Sequence, residues 1–314
     1  KVKRPPAIFT QLALLINEFH RQGCNALLPI LPTRNGELLY LSLDGDYFSL
    51  SPWCAGEKPS FSNPAHLKLI AECFAGLHTL SQSQSRSHSH SQLQLGELSA
   101  PPELSDSQAI SEYQLQQDFL ESLPERLTAC KNLNRIDRIV ASQSTYYLEQ
   151  GRLILKGLTD LGLSQFPLHN LIGFCHKDPA PGNIILNNRQ CYLIDFEFSH
   201  FDLVIKEFAL LALRALQASR WEPRTLEILT AAYSQVKPFV PIELKMLPFL
   251  IAYPRRFWRF CHQRYQEHLK WHEKRYQSRL WEIMDEEPHR SHFIQSVWPD
   301  IFPSELKNQE APDD

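Results

Sequence analysis

The run Cys175-His176-Lys177-Asp178-Pro179-Ala180-Pro181-Gly182-Asn183, followed by Leu193-Ile194-Asp195-Phe196-Glu197, constrains the fold of this chain more than any other stretch. It sets an aspartate, an asparagine five residues later, and a second aspartate at the end of a β-rich segment. Leu171-Ile172-Gly173-Phe174 runs into the motif as a strand. Ile184-Ile185-Leu186 and Cys191-Tyr192-Leu193-Ile194 flank Asn187-Asn188-Arg189-Gln190, the pattern of a tight hairpin. The three side chains thus fall on a loop, a hairpin and a strand end. Phosphoryl transfer to a hydroxyl needs such a set. One carboxylate orients or deprotonates the hydroxyl, while an amide oxygen and a second carboxylate hold the Mg2+ ions that bridge nucleotide phosphates. A lone His-x-Asp triplet is weak evidence, but HxDxxxxN followed by a hairpin and Ile-Asp-Phe is specific. The alternative is an acidic loop beside a hairpin by chance, with Asp178 and Asn183 as turn formers.

Bulk properties narrow the classes. At 314 residues the chain can hold one large domain or two lobes. A net charge of -3 argues against a nucleic-acid protein whose whole surface is basic. No apolar run reaches the length of a membrane span. Seven scattered cysteines, an odd number with no CxxC pair, suit a reducing, cytoplasmic compartment and structural thiols. Lys1-Val2-Lys3-Arg4-Pro5-Pro6 has no initiator Met and no signal-peptide pattern. No GxGxxG phosphate loop occurs among the 11 glycines. The expectation is that the chain begins inside a longer protein, with the first strands of a small lobe upstream.

Along the chain, Ile8 to Gln22 reads as an amphipathic helix stopped by Gly23, with Leu12, Leu15, Ile16 and Phe19 on its apolar face. Glu37–Leu43 and Tyr47–Ser51 read as strands joined through Asp44-Gly45. Ser51 to Gly56 breaks the pattern as a crossover would. Asn63-Pro64 opens a helix to about Leu80. Residues 81–106, rich in Ser, Gln and His, read as a mobile loop. His78, His88 and His90 are read as part of that solvated stretch rather than as a metal site. Helical patterns follow over 108–130, 136–161, 206–218, 223–234 and 253–284. This order of a small mixed region, a connector and a helix-rich region around one hairpin predicts a two-lobed α+β architecture.

Chemistry can be assigned residue by residue. An ordinary Asp178 is ionised at neutral pH and can accept a hydrogen bond from a hydroxyl. Asp195 supplies a hard oxygen to Mg2+ and Asn183 a neutral one. His176 reads as structural, bonding backbone near the metal loop. Lys177 either neutralises a transferring phosphate or faces solvent. Glu197 is a metal or substrate contact, or a solvent-facing strand end. Trp53 packs beside adenine or in an interlobe core, with core the favoured of the two. From Arg255 to Arg275 basic residues interleave with aromatics, a pattern seen in nucleic-acid binders. However, Phe257, Cys261, Tyr265, Leu269, His272, Tyr276 and Leu280 recur at helical spacing, so the aromatics read as a core stripe with the basic groups outside. Nucleic acid is therefore not expected as a partner, nor is a membrane.

These motifs together resemble the bacterial spore-coat kinase-like proteins of the CotS type, a group with aminoglycoside phosphotransferases and choline kinases in the protein-kinase-like fold. Leu50-Ser51-Pro52-Trp53-Cys54-Ala55-Gly56 is similar to the family's hinge, Leu77-His78 to its Leu-His, Cys175–Asn183 to its Cys-His-x-Asp-Pro-x-x-x-Asn, and Tyr253-Pro254-Arg255-Arg256-Phe257-Trp258 to its Tyr-Pro-x-x-Phe-Trp. The resemblance implies a reduced N-terminal lobe (1–51), a hinge (52–62), a large helical C-terminal lobe (63–302) and a tail (303–314). It implies Asp178 as catalytic base and Asn183 and Asp195 as metal ligands. It also implies a phosphate-clamping lysine at Lys1 or Lys3, or upstream, with Glu18 as its partner. Trp53 and Lys177 are further nucleotide-site candidates. ATP and Mg2+ are the implied cofactors, a small-molecule hydroxyl compound the acceptor, and spore-coat proteins the implied partners and location. Glu207 stands where the family often has Asp in an Asp-Leu-Ala run. The second functional reading is a kinase-fold scaffold of the coat with little catalysis.

Overall fold

The computed structural model describes residues 1–86, 105–128, 132–187 and 190–301. In chain order these form α1 (Pro6–Arg21), β1 (Tyr40–Leu41), β2 (Tyr47–Phe48), α2 (Pro64–Arg86), α3 (Asp106–Thr128), α4 (Arg135–Asp160), β3 (Ile172–Cys175), β4 (Ile184–Asn187), β5 (Gln190–Leu193), β6 (His200–Leu203), α5 (Val204–Ala218), α6 (Pro223–Val236), α7 (Pro241–Ala252), α8 (Arg255–Tyr265) and α9 (Glu273–Val297). Two compact units result, one of Lys1–Leu104 with Pro167–Val240, the other of Ser105–Phe166 with Pro241–Asp314. No helix among the described residues is long and apolar enough to cross a membrane.

The first unit carries all the strands among the described residues. Phe9, Leu12, Leu15, Ile16 and Phe19 form the buried face of α1, as the 3.6-residue spacing requires. β1 and β2 pair antiparallel around Asp44-Gly45, where Gly45 takes a φ of 83° that a side chain would resist. The strands are shorter than the sequence suggested. β4 and β5 form the expected hairpin with Asn187 opposite Gln190; Asn188 and Arg189 of its turn lie outside the described residues. β3 pairs antiparallel with β6, a strand the sequence reading did not anticipate. His200-Phe201-Asp202-Leu203 alternates polar and apolar residues, but over only four positions and running directly into α5. α2 packs on β3 and on α6, and runs six residues past the expected stop at Leu80. Residues 87–104 of the predicted loop, including His88 and His90, lie outside the described residues, as do residue 302 and the predicted tail, 303–314. His78 is not solvated as expected: it is fully buried.

The second unit is helical. Asn134 opens α4 with a reciprocal capping box to Asp137. The helix expected over 253–284 is two helices. α8 ends near Gln266, His268 takes a positive φ, and His272 caps α9 by accepting from the Lys274 N–H. The aromatic stripe survives the break, with Phe257, Cys261, Tyr265, Tyr276 and Leu280 in one core. Three of the basic residues beside it are in ion pairs: Arg255 with Glu112 (2.8 Å), Arg264 with Asp137 (2.9 Å), and Arg256 with Glu282 (3.2 Å).

Candidate active site

The site lies within the first unit and is assembled on the loop after β3. The backbone N–H groups of His176 and Lys177 both donate to the carboxylate of Glu207, in the first turn of α5. Glu207 is wholly buried and also accepts from His78 Nε2 on α2 at 2.9 Å. Burial alone would raise its pKa, but the His78 hydrogen bond and the neighbouring histidines hold it below the ordinary value. His78 Nδ1 in turn meets the Tyr233 hydroxyl at 2.7 Å. Helices α2, α5 and α6 thereby fix one end of the loop.

His176 ties that loop to the second aspartate. Its Nε2 donates to the Ile194 carbonyl at 2.8 Å, and its Nδ1 accepts the Asp178 N–H at 3.3 Å. The ring therefore carries its proton on Nε2. Phe196 packs edge-on against it at 4.6 Å, and Phe174 links Phe196 to Phe19 of α1. Asn183 makes a second tie. Its Nδ2 donates to the Asp178 carbonyl (3.1 Å) and to Asp178 Oδ2 (2.8 Å), and its own carbonyl accepts the Ile194 N–H at 3.0 Å. Asp178 and Asn183 are thus tied in one hydrogen-bonded network to Ile194, the residue before Asp195. The Asn183 Oδ1 is the end of the amide turned away from Asp178.

Lys177 and Asp195 hold left-handed backbone, with φ of 67° and 65°. Such conformations cost non-glycine residues about 1–3 kcal/mol and concentrate at functional sites. A cavity of about 450 Å³ opens beside Asp195, within the range of small-molecule sites. Ile30, Ile185 and Leu193 give it apolar walls, Pro52 and Trp53 an edge, and Asp195 with Glu197 an acidic end. Asp195 and Glu197 offer carboxylate oxygens and Asn183 an amide oxygen, a hard-oxygen set that fits Mg2+.

Gly56 lets the hinge-like segment reach this cavity. Glu57 exchanges two backbone hydrogen bonds with Leu186 of β4, each 2.9 Å. A Cβ at Gly56 would fall 2.5 Å from the Leu186 oxygen and 2.6 Å from Ile185 Cγ2. Gly56→Ala is expected to destabilise the fold by about 1–3 kcal/mol and to weaken ligand binding in the cavity. Thermal melts and nucleotide titration of the variant measure both, and wild-type values would show that the segment yields freely.

The other residues singled out in the sequence fall as follows. Lys1 borders the cavity and pairs with Asp46 at 2.7 Å. Lys3 pairs through Nζ with Glu197 at 2.9 Å, while Glu18 accepts from Arg21 at 2.7 Å on its own helix. The lysine's acidic partner thus comes from the loop after Asp195, where the sequence suggested α1. Trp53 is 92% exposed on the cavity edge, so the favoured core placement does not hold. The Lys177 ammonium turns to Asp202 at 2.8 Å and neither toward the cavity nor into open solvent. Asp202 is also held by Lys206 at 2.9 Å; burial would raise its pKa, but the two ammonium groups drive it well below the usual carboxylate range. Sequence reasoning missed Arg214, whose Nη2 donates to Asp178 Oδ1 at 2.6 Å. The available signal was a single cation in the apolar run Phe208 to Ala218.

A carboxylate and an amide on one loop, tied through backbone to the strand that ends at a second carboxylate, make up the candidate site. The chain belongs to the phosphotransferase enzyme family, whose sequence profile matches residues 15–249. No curated protein sequence matches it. An aminoglycoside phosphotransferase from Alicyclobacillus acidocaldarius shares its fold with a TM-score of 0.74 at 16% identity, over 96% of this chain and 85% of the other. A spectinomycin phosphotransferase in complex with ADP and spectinomycin superposes with a TM-score of 0.55 at 13% identity, over 98% and 83%. A choline kinase from Cryptosporidium parvum does so with 0.53 at 12% identity, over 98% and 84%. The fold is therefore α+β and protein-kinase-like, of the aminoglycoside phosphotransferase and choline kinase kind.

Proposed function

We propose that this chain transfers the γ-phosphoryl group of ATP, with Mg2+, to a hydroxyl of a small molecule. The observation that carries the reading is the joining of Asp178, Asn183 and Asp195 by His176 and by the Ile194 backbone beside a cavity of about 450 Å³. Bound Mg2+ would neutralise charge on the phosphates. Asp195 and the Asn183 oxygen would hold it, and Asp178 would accept the hydroxyl proton. The apolar walls suit a purine, and the exposed Trp53 would cover one. Lys3, held by Glu197, is the cation nearest to the role of phosphate clamp. The structural relatives named for nucleotide and small-molecule complexes support this reading. The finer likeness to spore-coat kinase-like proteins rests on the hinge, Leu-His and Tyr-Pro-x-x-Phe-Trp motifs. On that likeness we place the protein in the spore coat or the cytoplasm that builds it, with coat proteins as partners.

Nucleotide titration with and without Mg2+ tests the site. Asp195→Asn is expected to weaken Mg-ATP binding about 10- to 100-fold, the loss of one charge-assisted contact, while metal-free nucleotide binding stays near wild type. An unchanged Mg-ATP affinity would sink the metal assignment. The competing scaffold reading draws on the occupied lysines: Lys177 is taken up by Asp202 and Lys3 by Glu197. It becomes the better account if the wild type binds no nucleotide at millimolar concentration.

A further inference from the structure

The residue between His176 and Asp178 holds a backbone conformation that its own side chain opposes. Lys177 has a φ of 67°, in the left-handed region that glycine enters without strain and a long side chain resists. Asp178 follows directly. A return of that torsion to the usual negative value would swing the Asp178 carboxylate away from Asn183 and Arg214. Two contacts oppose the return. The Lys177 N–H donates to Glu207, and the Lys177 ammonium donates to Asp202 Oδ2 at 2.8 Å.

Asp202 is itself aimed. It lies on β6 opposite Gly173 of β3. Its Oδ1 accepts from the Leu203 N–H at 2.7 Å and from Lys206 Nζ of α5 at 2.9 Å, while Oδ2 turns to Lys177. The side chains of Asp202, Lys206 and Lys177 are 13%, 6% and 14% exposed, so salt screens these pairs far less than surface ones. One carboxylate therefore joins a strand, a helix and the loop one residue ahead of Asp178. Lys206 alone would balance its charge. The second ammonium is explained by what it does to the backbone of Lys177.

We propose that Asp202 is a positioning residue for phosphoryl transfer: acting through the Lys177 ammonium, it keeps the left-handed turn that sets Asp178 against the acceptor hydroxyl. This rests on the phosphotransferase reading above. The test compares Lys177→Ala with Lys177→Gly in the full chain. Both variants remove the ammonium and leave Asp202 paired with Lys206, but only glycine takes the left-handed turn freely. Crystal structures of the two give the torsion at position 177. Hydrolysis of Mg-ATP, with water as acceptor, gives kcat, and calorimetry with Mg2+ and a non-hydrolysable ATP analogue gives affinity. The alanine variant is expected to adopt a negative φ, to move Asp178 off Asn183, and to lose about 10- to 100-fold in kcat, the scale of a misplaced reacting group. The glycine variant should keep the turn and exceed the alanine variant in kcat by about tenfold. Nucleotide affinity should stay close to wild type in both. Asp202→Asn should lower kcat in the wild-type chain and add little in Lys177→Gly, as for two residues that act as a unit. Thermal melts show whether Asp202→Asn is folded; if it is not, the alanine and glycine variants decide. Equal kcat losses in those two, with nucleotide affinity falling alongside, would make the ammonium a phosphate contact and overturn the inference. So would an alanine variant that keeps the turn with Asp178 in place, and so would independent losses at 177 and 202. A wild type that binds no Mg-nucleotide would instead sink the phosphotransferase reading, while the two crystal structures would still decide whether the ammonium holds the turn.

Discussion

Replacing Asp178 by Asn is expected to lower kcat by about 10²- to 10⁴-fold, the usual contribution of a general base. Nucleotide affinity should change little, because Asp178 does not line the cavity beside Asp195. The amide keeps the shape of the carboxylate but cannot take up the hydroxyl proton, and it meets Arg214 as a neutral partner. Both side chains are part-exposed, so the cost in stability should be modest. Single-turnover phosphoryl transfer, nucleotide titration and a thermal melt of the same preparation separate these effects. A variant with wild-type kcat would remove Asp178 from the chemistry. A parallel loss of nucleotide binding would make it a structural residue of the metal loop.

The second large effect is on stability. Glu207 accepts from His78 Nε2 and from two backbone N–H groups, all in the interior. Glu207→Ala strands those donors and is expected to cost about 3–5 kcal/mol, as removal of one partner from a buried charged network does. Glu207→Gln fills the same volume and keeps one accepting oxygen, so it should fall between. Denaturant unfolding measures both, and an alanine variant within about 0.5 kcal/mol of wild type would contradict the role. The depressed pKa values of Glu207 and Asp202 fix the sign of the acid response. Their contribution is complete above the ordinary carboxylate range and is lost as pH falls through the lowered folded values. In Glu207→Ala the unfolding midpoint should fall less steeply with acid than in wild type.

Much of the site was legible because its signals are local. Asp178, Asn183 and Asp195 sit at fixed spacing around a hairpin whose strands alternate and whose turn is marked, and backbone geometry then leaves little choice of where they go. The buried stripe of α1 and the aromatic core of α8 and α9 followed from periodicity in the same way. The break near His268 did not, since no proline or glycine marks it. Nor did β6, whose four-residue run pairs with β3 beneath α5, with α2 packing on β3.

The sequence by itself determined the fold class and singled out Asp178, Asn183 and Asp195 as candidates, since hydrophobic period and motif spacing are properties of neighbours along the chain. Tertiary structure alone decided which charge meets which. Lys3 finds Glu197, Lys177 finds Asp202, and Arg214 finds Asp178 across 194, 25 and 36 residues. A buried or half-buried charge takes the partner that packing places within about 3 Å, and distance in space is what the linear chain does not record.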